Sequence, residues 1–163
     1  MTQADISKFQ EPIHAVQTPH NLSEHLPFLI CQLSDQILLK AQKHYRRKFG
    51  LGIREWRVLT LLGLFGRCSA ADMVGHASVD KTTISRALTA LESKGYVQRI
   101  QDPHDARRVE VQLTKSGCAL HDKMVPQSRQ RAKNLEKAIT VQERKQLVGI
   151  LRKLKTHLDT QPF

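Results

Sequence analysis

Beyond its first 22 residues, one stretch of the 163-residue chain departs from helical periodicity, and it limits the fold more than any other feature. Val109, Val111 and Leu113 alternate with Arg108, Glu110 and Gln112, the two-residue period of a strand with one dry and one wet face. Tyr96 to Ile100 reads as its partner strand, and Asp102-Pro103 opens the turn between them. A lone hairpin is marginal in water and needs an apolar surface to lie on. Helices must supply that surface, because the other apolar residues recur at steps of three and four.

A first helix is predicted from near Ser23, with Glu24 in its first turn, carrying Phe28 or Leu29, Leu33, Ile37, Ala41, Tyr45 and Phe49 on one side. Gly50 and Gly52 end it. A second helix, from about Arg54 to Leu64, turns Trp56, Leu59 and Leu62 inward and stops at Gly63 and Gly66. Ser69 caps a short helix to about His76, and Ser78 or Asp80 caps the next, which runs to Ser93 or Lys94 with Gly95 as its stop. After the hairpin, Thr114 caps a long helix to about Lys137, with Pro126 as a point of bending. Thr140 and Glu143 form a capping box for the last helix, where Leu147, Leu151, Leu154 and Leu158 share a face. Residues 1 to 22 hold Pro12 and Pro19, show no sustained period and read as an arm.

The chain carries a formal charge of +11 and a pI near 10.0, the footprint of a polyanion binder. The field is uneven. Between Asp80 and Lys115 seven basic residues face five acidic ones, whereas Lys40 to Arg57 holds seven basic residues against one glutamate. A groove-reading element near the hairpin must therefore work by the placement of particular residues. The sequence argues against a membrane span and a secretory signal, having neither an apolar run of about 20 residues nor a cleavable leader pattern. Cys31, Cys68 and Cys118 are odd in number and widely spaced, which points to a reducing, cytoplasmic setting. Cys118 and His121 lack a second ligand pair, and no metal or cofactor is expected. No catalytic motif stands out, so the reading is of a protein that is not an enzyme.

Two short helices followed at once by a hairpin make a winged helix-turn-helix, in which the second helix enters the major groove of DNA. Its exposed first turns supply Lys81, Thr82, Thr83, Ser85 and Arg86, with Ile84, Leu88 and Leu91 holding it to the core. Ser69, Lys94, His104, Arg107 and Arg108 complete the candidate DNA contacts. A guanidinium fixed at a hairpin tip can enter a narrow minor groove, provided something holds it still. Asp102 and Asp105 are placed to brace Arg107, Arg108 or Arg99 by charge-assisted hydrogen bonds, which explains acids inside a DNA-facing turn.

The segment from Val79 to Gly117 resembles the reading head of the MarR (multiple antibiotic resistance regulator) family. The matching pieces are Thr83-Ile84-Ser85-Arg86, Gly95-Tyr96-Val97-Gln98-Arg99, Asp102-Pro103-His104-Asp105-Ala106-Arg107 and Val111-Gln112-Leu113-Thr114-Lys115-Ser116-Gly117. Upstream, Gly50 to Leu59 is similar to the family's entry to its second helix, and the match covers about Leu26 to Leu158. The resemblance implies a mainly α fold with a small β-hairpin, flanked by dimerisation helices. It divides the chain into an arm (1–22), a first dimerisation helix (23–50), the winged domain (51–113) and C-terminal dimerisation helices (114–163). It further implies a homodimer on double-stranded operator DNA of pseudo-palindromic sequence, usually a repressor, with Ser85 and Arg86 in the major groove and Arg107 in the minor groove. His104 stands where the family often has an arginine. An anionic aromatic effector or its coenzyme A thioester is implied as the releasing signal, with Ser34, Leu38, Tyr45, Arg46 and Trp56 as candidate contacts. Two alternatives remain: a redox switch at Cys31, whose apolar sequence neighbours argue for a dull thiol, and a winged helix that binds protein.

Overall fold

The structure, a computed structural model, describes residues 21–77, 79–101 and 109–161. Packing divides the described chain into two units, the first ending at His44 and the second running from Tyr45. The elements in order are α1 (Leu26–Phe49), α2 (Ile53–Phe65), β1 (Cys68–Ser69), α3 (Ala70–Ala77), α4 (Lys81–Ser93), β2 (Val97–Gln101), β3 (Val109–Leu113), α5 (Lys115–Glu136) and α6 (Val141–Thr160). The first unit holds the greater part of α1. That helix starts at Leu26, with Pro27 in the first turn where a missing N–H costs nothing. Glu24 therefore precedes the helix, and the first turn contains no acid, contrary to expectation.

In the second unit the hairpin is antiparallel, with Val97 opposite Leu113, Arg99 opposite Val111 and Gln101 opposite Val109. A third strand joins it: β1 lies on the outer side of β3, with Cys68 opposite Val111. From the sequence Ser69 is expected only as a helix cap, because two residues are too few to show a period. Val97 and Val111 are buried, but of the alternating residues expected on the same dry face Leu113 is only half-buried and Val109, at the outer end of β3, is exposed. Val97 and Val111 complete an aliphatic core with Val58, Leu59 and Leu62 of α2, Met73 of α3, Ile84, Leu88 and Leu91 of α4, and Met124 of α5. Each such side chain contributes about 1.5–3 kcal/mol on leaving water, so this cluster anchors the hairpin that could not stand alone.

Polar caps set where the helices begin. The Asp80 carboxylate accepts the Thr83 amide at 2.8 Å and the Thr83 hydroxyl at 2.7 Å. Thr114 accepts the Gly117 amide at 3.1 Å and donates its hydroxyl to the Gly95 carbonyl at 2.7 Å. Its own amide donates to the Tyr96 carbonyl, so one residue both starts α5 and fastens it to the entry of β2. Thr140 and Glu143 exchange hydrogen bonds at the start of α6, as their spacing foretold. α5 runs through Pro126 as a single helix. α6 buries none of its residues, and Leu147, Ile150, Leu151 and Leu158 are exposed.

Gly117 shows why the motif needs a glycine. A Cβ there would run into the Tyr96 carbonyl oxygen, part of the backbone and unable to swing aside. Gly117→Ala is expected to destabilise the domain by about 1–3 kcal/mol, read as a lower urea midpoint with an unchanged slope. The Asp80 carboxyl is held below its ordinary pKa, first by the Thr83 hydroxyl and then by the Thr83 amide. A lowered folded-state pKa means its contribution is present above the unfolded value and is lost as pH falls through the lowered one. The Thr83 amide resonance should accordingly stay constant between about pH 8 and 6 and move only in acid, at a midpoint below that of free aspartate.

Candidate nucleic-acid interface

Burial fixes the rotation of α4. With Ile84, Ala87, Leu88 and Leu91 buried, Lys81, Thr82, Ser85, Arg86 and Thr89 face solvent along one side. The periodicity of the helix placed four of the nominated residues, Lys81, Thr82, Ser85 and Arg86, on this open row. Thr83 is half-buried and its hydroxyl proton is committed to Asp80. Ser69 is likewise committed: its hydroxyl and amide both donate to Asp72 Oδ2, at 2.7 and 2.9 Å. A hydroxyl has one proton to give, so either residue would have to turn it away from its carboxylate before donating to a phosphate. The Asp80 carboxylate also occupies the amide-rich start of α4, where a phosphate would otherwise bind. Contacts from this helix must come from side chains.

Lys94 was nominated as a DNA contact, and the structure gives it other partners. Its ammonium donates to the Gly50 carbonyl at 3.0 Å and to Glu55 Oε1 at 3.1 Å.

Two ion pairs hold the stem of the hairpin. Arg99 Nε donates to Glu92 Oε2 at 2.9 Å, tying β2 to the last turn of α4. Arg67 pairs with Glu110, tying the turn after α2 to β3. Each pair is partly exposed and holds at most about 1 kcal/mol, so they steer the stem while the core anchors it. Arg99 was grouped with Asp102 and Asp105 as a brace; Glu92 is its partner among the described residues. Asp102, His104, Asp105, Arg107 and Arg108 lie outside the described residues, as does Ser78. Sequence reasoning missed Arg67, Glu92 and Glu55. Glu92 and Arg99 are seven apart across a helix stop, a spacing that no single period marks.

The effector candidates separate into two groups. Tyr45 is fully buried and stacks on Trp56, with ring centroids 5.0 Å apart and planes 14° from parallel. Arg131 of α5, which the sequence did not suggest, lies over the Tyr45 ring at 5.2 Å. A guanidinium on an aromatic face keeps its in-plane N–H donors available for a carboxylate. Arg46 is exposed on the last turn of α1. Ser34, exposed, and Leu38, half-buried, lie on α1 within the first unit. Cys31 is exposed in that unit, whereas Cys68 is buried. Burial first, then the nearby Asp72 and Glu110 charges, pushes the Cys68 thiol up and keeps it protonated.

Residues 51–109 match the sequence model of the MarR family. The repressor NicR of Pseudomonas putida is 36% identical over 89 residues, an alignment covering 55% of this chain and 56% of that protein. The chain thus spans little more than half the length of that curated relative. The homoprotocatechuate degradative operon repressor of Escherichia coli is 25% identical over 105 residues, covering 64% of this chain and 71% of the relative. Among solved structures, a MarR/EmrR family transcriptional regulator from an Acinetobacter species superposes with a TM-score of 0.82 at 29% identity, over 87% of this chain and all of that one. BpsR of Bordetella bronchiseptica, whose DNA binding is regulated by 6-hydroxynicotinic acid, gives a TM-score of 0.74 at 27% identity, over 81% of this chain and 99% of that one. Residues 51–109, which include α4 and β2, thus carry a MarR family domain, and the chain shares its fold with solved regulators of that family.

Proposed function

We propose that this protein is a sequence-specific DNA-binding transcriptional regulator, a repressor that sits on a pseudo-palindromic operator as a homodimer and leaves it on binding an aromatic acid. The observation that carries the DNA-binding part is the open row on α4. Lys81, Thr82, Ser85 and Arg86 stand together on a helix whose opposite face is locked into the core. Such a helix presents donors to base edges and phosphates with little rigid-body freedom left to lose. Arg86 is the residue for a guanine, gripping O6 and N7 with two parallel hydrogen bonds, and Lys81 is a phosphate contact. Arg107 is assigned to the minor groove beside it.

The homodimer reading rests on apolar surface. α6 exposes Leu147, Ile150, Leu151 and Leu158, and α1 exposes Leu26, Phe28, Leu33 and Leu39. Faces of this kind are costly to leave in water, and a second copy offers a matching surface by symmetry. The effector reading rests on Trp56, which is half-buried and stacked on the fully buried Tyr45, with the Arg131 cation over the same Tyr45 ring. Relatives named for homoprotocatechuate degradation and for control by 6-hydroxynicotinic acid favour a free aromatic acid over a thioester.

Three measurements test these assignments. Binding to its own promoter fragments should fall steeply with salt, the logarithm of affinity losing about 0.9 per decade for each phosphate neutralised. Lys81→Ala should lower that slope by about one and weaken every site alike, whereas Arg86→Ala should cost about 1–3 kcal/mol and relax preference at one base position. Unchanged affinity in both variants, or binding with no salt dependence, would favour a protein-binding module instead. In a thermal-shift assay, an aromatic acid at a hundred times its dissociation constant should stabilise the fold by about 2.7 kcal/mol, and Arg131→Ala should remove that gain.

A further inference from the structure

The end of α4 is tied to a corner far away in sequence. Lys94 follows the last residue of α4, and Gly95, at φ +71, then turns the chain into β2. From there the Lys94 ammonium reaches the Gly50 carbonyl at 3.0 Å and Glu55 Oε1 at 3.1 Å. The second oxygen of the same carboxylate, Oε2, accepts the Gly52 amide. The Gly50 carbonyl lies at the negative end of α1 and the Gly52 amide at the positive start of α2. Each charge thus sits where a helix terminus favours it, and the two charges also face each other. An isolated surface pair of this kind would hold little. Here the Glu55 side chain is only 15% exposed against 38% for Lys94, and both carboxylate oxygens have their own donor.

We propose that Glu55 and Lys94 are positioning residues that clamp the C-terminal end of α4 to the Gly50–Gly52 corner and so set the tilt of α4 on DNA. The inference rests on the DNA-binding reading above and removes Lys94 from the phosphate contacts. Ile84, Leu88 and Leu91 fix how α4 is rotated about its own axis, and Asp80 fixes where it starts. At the other end Leu91 and the Glu92–Arg99 pair hold α4 to the core and to β2, and Lys94 adds the one link from that end to the Gly50–Gly52 corner among the described residues. Trp56 immediately follows Glu55 and stacks on Tyr45, so one peptide bond and the Glu55–Lys94 ion pair connect the candidate effector aromatics to the end of α4.

Two roles for Lys94 differ in sign. A phosphate-binding lysine merely restrained by Glu55 would be freed by Glu55→Gln, which would tighten DNA binding. Its own removal by Lys94→Met would lower the salt slope by about one. The clamp requires that Glu55→Gln and Lys94→Met each weaken operator binding, by roughly ten-fold, with the salt slope unchanged. Because the two residues act as one unit, the double variant should be little weaker than either single one. Lys94→Arg, which keeps a cation and donors at the site, should retain most of the affinity. Fluorescence anisotropy on one promoter duplex across a salt series reads all four variants, with thermal melts confirming that each is folded. Tighter or unchanged binding by Glu55→Gln, a reduced slope for Lys94→Met, or losses that simply add would overturn the clamp. A wild-type protein that binds no promoter duplex would instead remove the DNA-binding reading, and the clamp with it.

Discussion

The packing of Ile84, Leu88 and Leu91 against the aliphatic core is the constraint on which the rest depends. A helix of thirteen residues is only marginally stable by itself, and burial of one face makes it persistent and gives it a single rotation. Once that face is inside, the 3.6-residue repeat leaves Lys81, Thr82, Ser85 and Arg86 on the outside with no further choice. The hairpin depends on the same core through Val97 and Val111. Helix and the described strands of the hairpin therefore share one core, and the Glu92–Arg99 pair joins them directly.

Around this apolar centre, charge sets direction. Asp80 marks the start of α4, Glu92 and Arg99 join its last turn to β2, Arg67 and Glu110 secure the other side of the hairpin, and Lys94 joins Glu55. Asp80, Glu92 and Glu110 are three of the five acids that keep the region from Asp80 to Lys115 close to balanced in a strongly basic protein. Each carboxylate in the described part of that region holds a cation or an amide in place. The net positive field comes from elsewhere, with ten basic residues against four acids from Cys118 onward.

Local signals carried most of the fold. Caps separated by three residues (Asp80 with Thr83, Thr114 with Gly117, Thr140 with Glu143), the alternation around Val111 and the stop at Gly95 all act over a single turn, so the chain shows them directly. What escaped was tertiary or too short. β1 has two residues and no period, and Glu55 and Lys94 are 39 positions apart with nothing local to link them. Arg131 reached Tyr45 only through the packing of α5, although the Tyr45–Trp56 pair had been nominated from the sequence. Ser69 and Thr83 bond to carboxylates three residues away, a spacing visible in the chain, whereas the partners of Lys94 lie 39 and 44 positions away and meet it only through folding.

The outward row on α4 can be tested most directly by lysine reactivity. Acetylation of the native protein, with and without a promoter duplex, compares every lysine in one mass-spectrometric experiment. The account predicts that DNA shields Lys81 while Lys145, Lys153 and Lys155 on α6 react as before. Shielding confined to the α6 lysines, with Lys81 as reactive as in the free protein, would contradict it.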